Sequence, residues 1–384
     1  MNKLGSKRCG LILVFLLFAL SFSQLAAEPP ENSRNATHSA MISEIIDEAE
    51  GLIKTGNLTG IAFGYITDEE SEIICLGTTN SEKKQPVDRQ TIFEMGSITK
   101  VFTVLLAHQQ LAKDGLDLET PVSKLFQAET IAPDLFKNGV TCLNLALHNS
   151  GLPRLPANMQ PADQLQPYAD YTAQHLYEFL ATHTLEIKPG TRYSYSNLGS
   201  GLLGHLMEVY RQKSFFSLLH DHILKPLEMS DTFIDLPEAL HSRMAHGYYH
   251  DDKDGLTPVP AWKFGVLAGC GALKTTPDDL LKFLRANLSP DSSPLGNLLR
   301  ESHQIRFDCG GNNLKMCLGW HCFDQNEVRF IWHNGGTYGF SSFMGFSPEK
   351  RFGFFILANS WSLAGKIDRL AFGKILPAFL KNLK

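Results

Sequence analysis

The chain has 384 residues, of which 43% are hydrophobic and 20% charged. That is globular usage and excludes a disordered or fibrous protein; at roughly 100–200 residues per domain it predicts one large or two modest domains. With 35 basic against 40 acidic residues the formal charge is −5, and no long Lys/Arg run exists, so nucleic acid is excluded as a partner.

The first 27 residues read as an export leader rather than as part of the fold. Lys3, Lys7 and Arg8 precede an apolar run from Leu11 to Phe22, and Ala26-Ala27 offers a cleavage site. Leu25 fits poorly before that site, so cleavage near Ser23 competes with it. The apolar run is shorter than the about 20 residues of a spanning helix. Secretion to the periplasm is therefore expected, with no membrane span once the leader is removed; an uncleaved N-terminal anchor is the alternative. The leader holds three bases and no acid, so its removal takes the formal charge from −5 to −8.

Cysteine usage fits export without demanding disulfides. Beyond Cys9 in the leader stand Cys75, Cys142, Cys270, Cys309, Cys317 and Cys322, too few for a disulfide scaffold. The last three are close enough in sequence for one local bridge. No C-x-x-C pair exists, which excludes a zinc ribbon.

In chain order, Ile42 to Lys54 repeats apolar residues at helical spacing. Gly60–Ile66 and Glu72–Leu76 read as a hairpin. Helices are expected at Ile98–Asp114, Cys142–Asn149, Tyr171–Thr182, Leu198–Tyr210, Phe215–Leu224 and Pro277–Leu288. Strands return at Met316–Phe323, Val328–Trp332, Phe340–Phe346 and Phe352–Leu357, and a last helix runs from about Leu363 to Leu383, bent at Pro377. Strands at both ends with helices between them imply an α+β fold, an antiparallel sheet carrying a helical insertion. The expected division is a leader at 1–27, a sheet domain at 28–96 plus 262–384, and a helical domain at 97–261, with the active site at the seam.

Three segments carry chemistry. Ser97-Ile98-Thr99-Lys100 places a hydroxyl and an amine at i and i+3, one face of a helix. A serine needs a nearby base to become a nucleophile, and a lysine can be tuned to that task. Two more S-x-x-K matches, Ser81 to Lys84 and Ser347 to Lys350, lie in turns; only Ser97 follows a glycine, Gly96, and opens an apolar helix. Ser97 also reads as a simple helix cap. Tyr195-Ser196-Asn197 offers a phenol that can relay protons and an amide that can hold an amide substrate. Asn197 also reads as a cap, and Tyr193 competes as the functional tyrosine. His333-Asn334-Gly335-Gly336 offers close backbone approach and an oxyanion donor at the Gly336 amide, or else a plain glycine-rich hairpin.

The order S-x-x-K, Y-S-N, H-N-G resembles the penicillin-recognising serine hydrolases, and more closely the class C β-lactamases with their D-alanyl-D-alanine carboxypeptidase and esterase relatives. Phe93 to Lys100, His148-Asn149-Ser150-Gly151-Leu152-Pro153, Tyr193 to Gly204, Pro226 to Thr232, and His333 to Lys350 with Leu357-Ala358-Asn359 carry the likeness over nearly the whole mature chain. The resemblance implies a β-lactamase/transpeptidase-like α/β sandwich. It further implies that Ser97 forms an acyl-enzyme, with Lys100 and Tyr195 moving its proton. Asn197 would hold the substrate amide, and the Ser97 and Gly336 amides would form the oxyanion hole. His333, Asn334 and Gly335 would line the substrate, and no cofactor or metal would be needed. One departure stands out: class C enzymes usually carry lysine at the position of His333 and threonine at Asn334. Histidine is commoner among the carboxypeptidases and esterases, and an imidazole holds a carboxylate less strongly than a fixed ammonium.

The leading expectation is hydrolysis of a small-molecule β-lactam. A D-alanyl-D-alanine peptidase or a carboxylesterase using the same residues comes second. An acylatable penicillin-binding sensor without turnover is the non-enzyme alternative. Peptidoglycan is a further candidate partner, and a monomer is expected. His246, His250, Asp251, Asp252 and Asp254 read as a solvated loop rather than a metal site, since no EF-hand register fits them.

Overall fold

The computed structural model describes residues 31–126, 131–251, 255–311, 313–325, 328–362 and 365–382, so the leader expected at 1–27 lies outside the described residues. Helix α1 (Glu31–Lys54) leads into a hairpin of β1 (Gly60–Ile66) and β2 (Ser71–Gly77). Strand β3 (Phe93–Glu94) precedes one 3-10 turn at Gly96–Ile98 and helix α2 (Thr99–Ala112). Next come α3 (Pro133–Lys137), α4 (Cys142–Ala146), α5 (Ala173–Thr182), α6 (Asn197–Arg211) and α7 (Phe215–Leu219). Strands β4 (Gly247–Asp251) and β5 (Gly255–Val259) pair with each other, and β6 (Lys274–Thr275) pairs with β3. Helices α8 (Pro277–Leu288) and α9 (Pro294–Ser302) lead to β7 (Phe307–Asp308), β8 (Lys315–Met316) and β9 (His321–Gln325). The long strands β10 (Val328–Gly336), β11 (Ser341–Ser347) and β12 (Phe352–Ala358) follow, then β13 (Ser360–Ser362). Helices α10 (Lys366–Leu370) and α11 (Leu376–Asn382) flank a wider π turn at Ala371–Ile375, just before Pro377.

The main sheet runs β2-β1-β12-β11-β10-β9-β8-β7 with antiparallel neighbours. Its central strands are apolar on both faces, and period-two alternation sorts their side chains into two layers. Phe63, Phe330, Trp332, Phe343, Phe354 and Ile356 face the terminal helices, where Ile45, Ile375 and Phe379 meet them. Phe343 stacks on Phe354 with centroids 5.5 Å apart. Each such fully buried aromatic contributes roughly 1.5–3 kcal/mol. On the opposite face Ile331, Met344, Phe346, Phe355 and Leu357 join α2, α6 and α8 in one continuous cluster. That alternation puts His333 with Ile331, towards the helices around α2, and Asn334 with Trp332, towards α10.

Three differences from the sequence expectation have local causes. Met316–Phe323 is not one strand: Gly319, at φ +75°, permits a tight turn, and the Cys317 N–H donates to the Trp320 carbonyl at 2.8 Å, so β8 and β9 form a hairpin. His250 and Asp251, read as part of a solvated loop, lie in β4, and the β4–β5 hairpin is bound to β13 through a parallel β4–β13 pairing. Helix α9 is hidden among Ser, Pro and Gly, yet Ser293 caps it and Pro294 occupies its first turn, where a proline costs nothing. The six cysteines from Cys75 to Cys322 are free thiols, with the Cys317 and Cys322 sulfurs 3.2 Å apart. Among the described residues, no helix is long and apolar enough to cross a membrane.

Candidate active site

Ser97 lies in the 3-10 turn before α2, and neither that turn nor α2 has a side-chain cap, so its hydroxyl is not spent on capping. The turn is forced by Gly96, at φ +50°, where a Cβ would meet the Gly336 amide nitrogen at 2.6 Å. Gly335 is equally constrained: a Cβ there would lie 2.0 Å from the Met95 carbonyl and 2.9 Å from the Ser97 nitrogen. The end of β10 thus presses against the Ser97 turn, and the Ser97 and Gly336 amides border the same space. Ser342 Oγ ties the two by donating to the Met95 carbonyl at 2.7 Å.

Lys100, one turn into the helix, is almost fully buried. Its Nζ donates to Ser97 Oγ at 2.9 Å and to the Cys270 carbonyl at 2.6 Å. The segment carrying Cys270 is clamped to α2, since Thr103 Oγ1 donates to the Gly269 carbonyl at 2.7 Å and the Leu273 N–H donates to Thr99 Oγ1 at 3.1 Å. The amine therefore has little choice of position.

The second segment enters at the start of α6. Ser196, not Asn197, is the cap: its Oγ accepts from the Gly199 N–H at 2.8 Å. Asn197 is free to donate through Nδ2 to the Tyr168 hydroxyl at 2.7 Å, and its buried Oδ1 accepts from no described residue. Tyr195 and Tyr193 are separated by their neighbours. The Tyr195 ring centroid is 4.9 Å from Lys100 Nζ, whereas the Tyr193 hydroxyl pairs with His321 Nε2 at 2.9 Å. Burial raises the Tyr193 and Tyr168 phenols well above the usual range.

Histidines surround Tyr195. His148, at φ +56°, packs its ring 4.5 Å from that of Tyr195, and its Nδ1 accepts from the Ser196 N–H at 3.2 Å. His321 lies parallel to Tyr195 at 6.3 Å and stacks on Trp332 at 4.7 Å. His333 is 5.0 Å from His321, ring to ring, and its Nδ1 is 2.6 Å from its neighbour's carbonyl, that of Asn334. A carbonyl only accepts, so Nδ1 carries the proton and the buried Nε2 is a bare acceptor. Burial, with Lys100's charge nearby, holds all three imidazoles below the ordinary histidine range: His148 and His333 well below, His321 at about 3. They are neutral at pH 7. Among the described residues, no group of three or more His, Cys, Asp or Glu is disposed to hold a metal ion.

Asn334 turns away from this cluster. Its Nδ2 donates to both oxygens of Asp368 on α10, at 3.0 and 3.1 Å, and burial pushes that carboxyl up to about 6. Ser97, Lys100, Tyr195, Asn197, His333, Gly335 and Gly336 converge, then, while the Asn334 amide is held on the far face of the sheet. Sequence reading did not single out Arg154, Tyr168 or His321 for a role. Arg154 follows the His148–Pro153 loop, and its guanidinium carbon is 5.1 Å from the Tyr195 ring centroid.

Residues 45–372 match the Beta-lactamase family, a span that takes in every residue of this site. The chain belongs to that family. Within it, the chain is 27% identical over 353 residues to a β-lactamase of Pseudomonas fluorescens, covering 83% of this chain and 93% of that one. It is 25% identical over 366 residues to the D-alanyl-D-alanine-carboxypeptidase/endopeptidase AmpH of Escherichia coli (strain K12), covering 91% of each. A crystal structure of a β-lactamase/D-alanine carboxypeptidase from Pseudomonas syringae superimposes with a TM-score of 0.75 over 88% of this chain and 99% of that one, at 22% identity. The family fold is the expected α+β arrangement of sheet and inserted helices.

Proposed function

We propose that the protein is an exported serine hydrolase that opens a β-lactam through an acyl-enzyme on Ser97. The observation that carries this reading is the 2.9 Å contact between Ser97 Oγ and Lys100 Nζ, beside the Gly336 amide. Ser97 Oγ attacks the carbonyl carbon as its proton passes to the Lys100–Tyr195 pair, and the Ser97 and Gly336 N–H groups receive the oxyanion. Losing one such donor costs roughly 2.7–4 kcal/mol of transition-state stabilisation. The amide C–N bond then breaks, with the proton returned to nitrogen, and water releases the acid. Asn197, with an unpaired carbonyl oxygen and an amide on Tyr168, suits an amide neighbour of the scissile bond. Export rests on the leader, and a D-alanine peptide or an ester is the second substrate class. His333 favours the ester within that second class, because a neutral imidazole stands where a fixed ammonium would hold the carboxylate of a lactam or a D-alanine peptide. The test compares hydrolysis of a β-lactam, a D-Ala-D-Ala peptide and a neutral ester by the wild-type protein and by Ser97→Ala. Lactam turnover dependent on Ser97 supports the first reading, ester-only or peptide-only turnover supports the second, and turnover surviving in Ser97→Ala contradicts both.

A further inference from the structure

We infer that Arg154 is the receptor for a substrate carboxylate, giving the site a specificity for anionic substrates that its third segment does not supply. The inference rests on the hydrolase reading and names the substrate feature that the site selects.

A carboxylate needs a cation with donors to spare, and the β10 side of the site lacks one. His333 is buried, and its Nδ1 proton is given to the Asn334 carbonyl, so it offers a bound anion no N–H. Asn334 spends its amide on Asp368, which adds an acid behind the strand. Lys100 is committed to Ser97 and the Cys270 carbonyl.

Arg154 meets the requirement from the opposite wall. Its backbone carbonyl accepts the Asn197 and Leu198 N–H groups at 3.0 and 3.1 Å, and the Pro153 carbonyl accepts Ser196 Oγ at 2.6 Å. The loop is thereby fixed to the first turn of α6, one turn from Tyr195. The half-buried guanidinium then rests against the Tyr195 ring, and its charge reaches His148, Tyr168 and Cys270 around the same space. Among the described residues it has no carboxylate partner. A guanidinium beside Tyr195 with no carboxylate partner has donors to spare for an anionic ligand. A planar guanidinium matches a carboxylate bidentately, which an imidazole at His333 cannot do.

The alternative is that Arg154 only braces Tyr195 through the cation–ring contact. Equilibrium binding separates the two, using the full chain carrying Ser97→Ala so that no turnover intervenes. Its affinity for a penicillin free acid and for the same penicillin as its methyl ester is measured with and without Arg154→Gln. A lost charge-assisted contact predicts about tenfold or more weaker binding of the acid, with the ester changed less than about threefold. Arg154→Lys recovers part of the acid affinity. Equal losses for acid and ester, or no loss for either, overturn the inference. The hydrolase reading fails by a different result, Ser97-independent turnover, so the two failures are distinguishable.

Discussion

Ser97, Lys100 and Gly96 are held by constraints that leave few alternatives at those positions. Ser97→Ala removes the oxygen proposed to attack, and hydrolysis is expected to drop about 10⁴-fold or more, as when a nucleophile is deleted from a group acting as a unit. Circular dichroism should stay unchanged, which separates chemistry from folding. Gly96→Ala tests the turn itself: φ +50° and a Cβ 2.6 Å from the Gly336 nitrogen both oppose it. That variant should lose about 1–3 kcal/mol of stability by urea denaturation and at least about tenfold in kcat/KM, because the Ser97 and Gly336 amides, proposed to hold the oxyanion, are driven apart. Normal activity in Gly96→Ala would contradict the pressed contact between β10 and the Ser97 turn. Sequence made these three residues conspicuous, since S-x-x-K after glycine is a local pattern. On the residues alone Tyr193 competed with Tyr195; the resemblance chose Tyr195, and Lys100 Nζ lies beside its ring.

At the scale of elements, α6 organises the site from its first turn. Ser196 caps the helix and also donates to the Pro153 carbonyl, so one side chain joins the Arg154 loop to the Tyr195 segment. Ser196→Ala should cost about 1–2 kcal/mol, because the part-buried Pro153 carbonyl loses its donor along with the cap. A thermal shift is the check, and a wild-type melting temperature would remove α6 from this role. Strong periodicity made α2, α6, α8 and the last strands legible in the sequence. The β8–β9 turn was not: Met316 to Phe323 is apolar apart from His321, and only the φ of Gly319 divides it. That missed turn is why His321 escaped notice, since in a straight strand it would have no reason to reach Tyr193.

Across the whole molecule, burial of ionisable groups sets the response to pH. His148, His303, His321 and His333 all titrate below the ordinary histidine value in the folded state, His303 at about 4 and His321 at about 3. Below about pH 6.5 the unfolded chain binds protons that the folded chain refuses, so each histidine removes up to about 1.4 kcal/mol of stability per pH unit. Asp368 acts in the opposite sense. Its folded pKa of about 6 means that stability falls as pH rises from about 4 to about 6, where only the native state keeps the proton. Glu94, raised by burial, acts with Asp368, but the four histidines outweigh these two carboxyls, so urea midpoints should fall steadily on acidification from pH 7 to pH 4.5. Asp368→Asn, which keeps an acceptor for Asn334, should stabilise on the order of 2 kcal/mol at pH 8 and not at pH 4. Equal gains at both pH values would contradict a protonation origin.

Long-range geometry is what sequence order could not supply. Ser97, Tyr195 and His333 were visible as three motifs because each sits beside its own glycine, proline or helix start. Arg154, Tyr168 and His321 reach the same space only through long-range contacts, Arg154 and Tyr168 with the first turn of α6 and His321 with Tyr193, and nothing local marks them. The central claim, that Ser97 is the acylated residue, is tested most directly by intact-mass spectrometry and peptide mapping after mixing with a β-lactam. The account predicts a mass increase equal to the whole lactam on the peptide containing Ser97, transient or lasting, and none in Ser97→Ala. An adduct on another residue, or one that persists in Ser97→Ala, would contradict it.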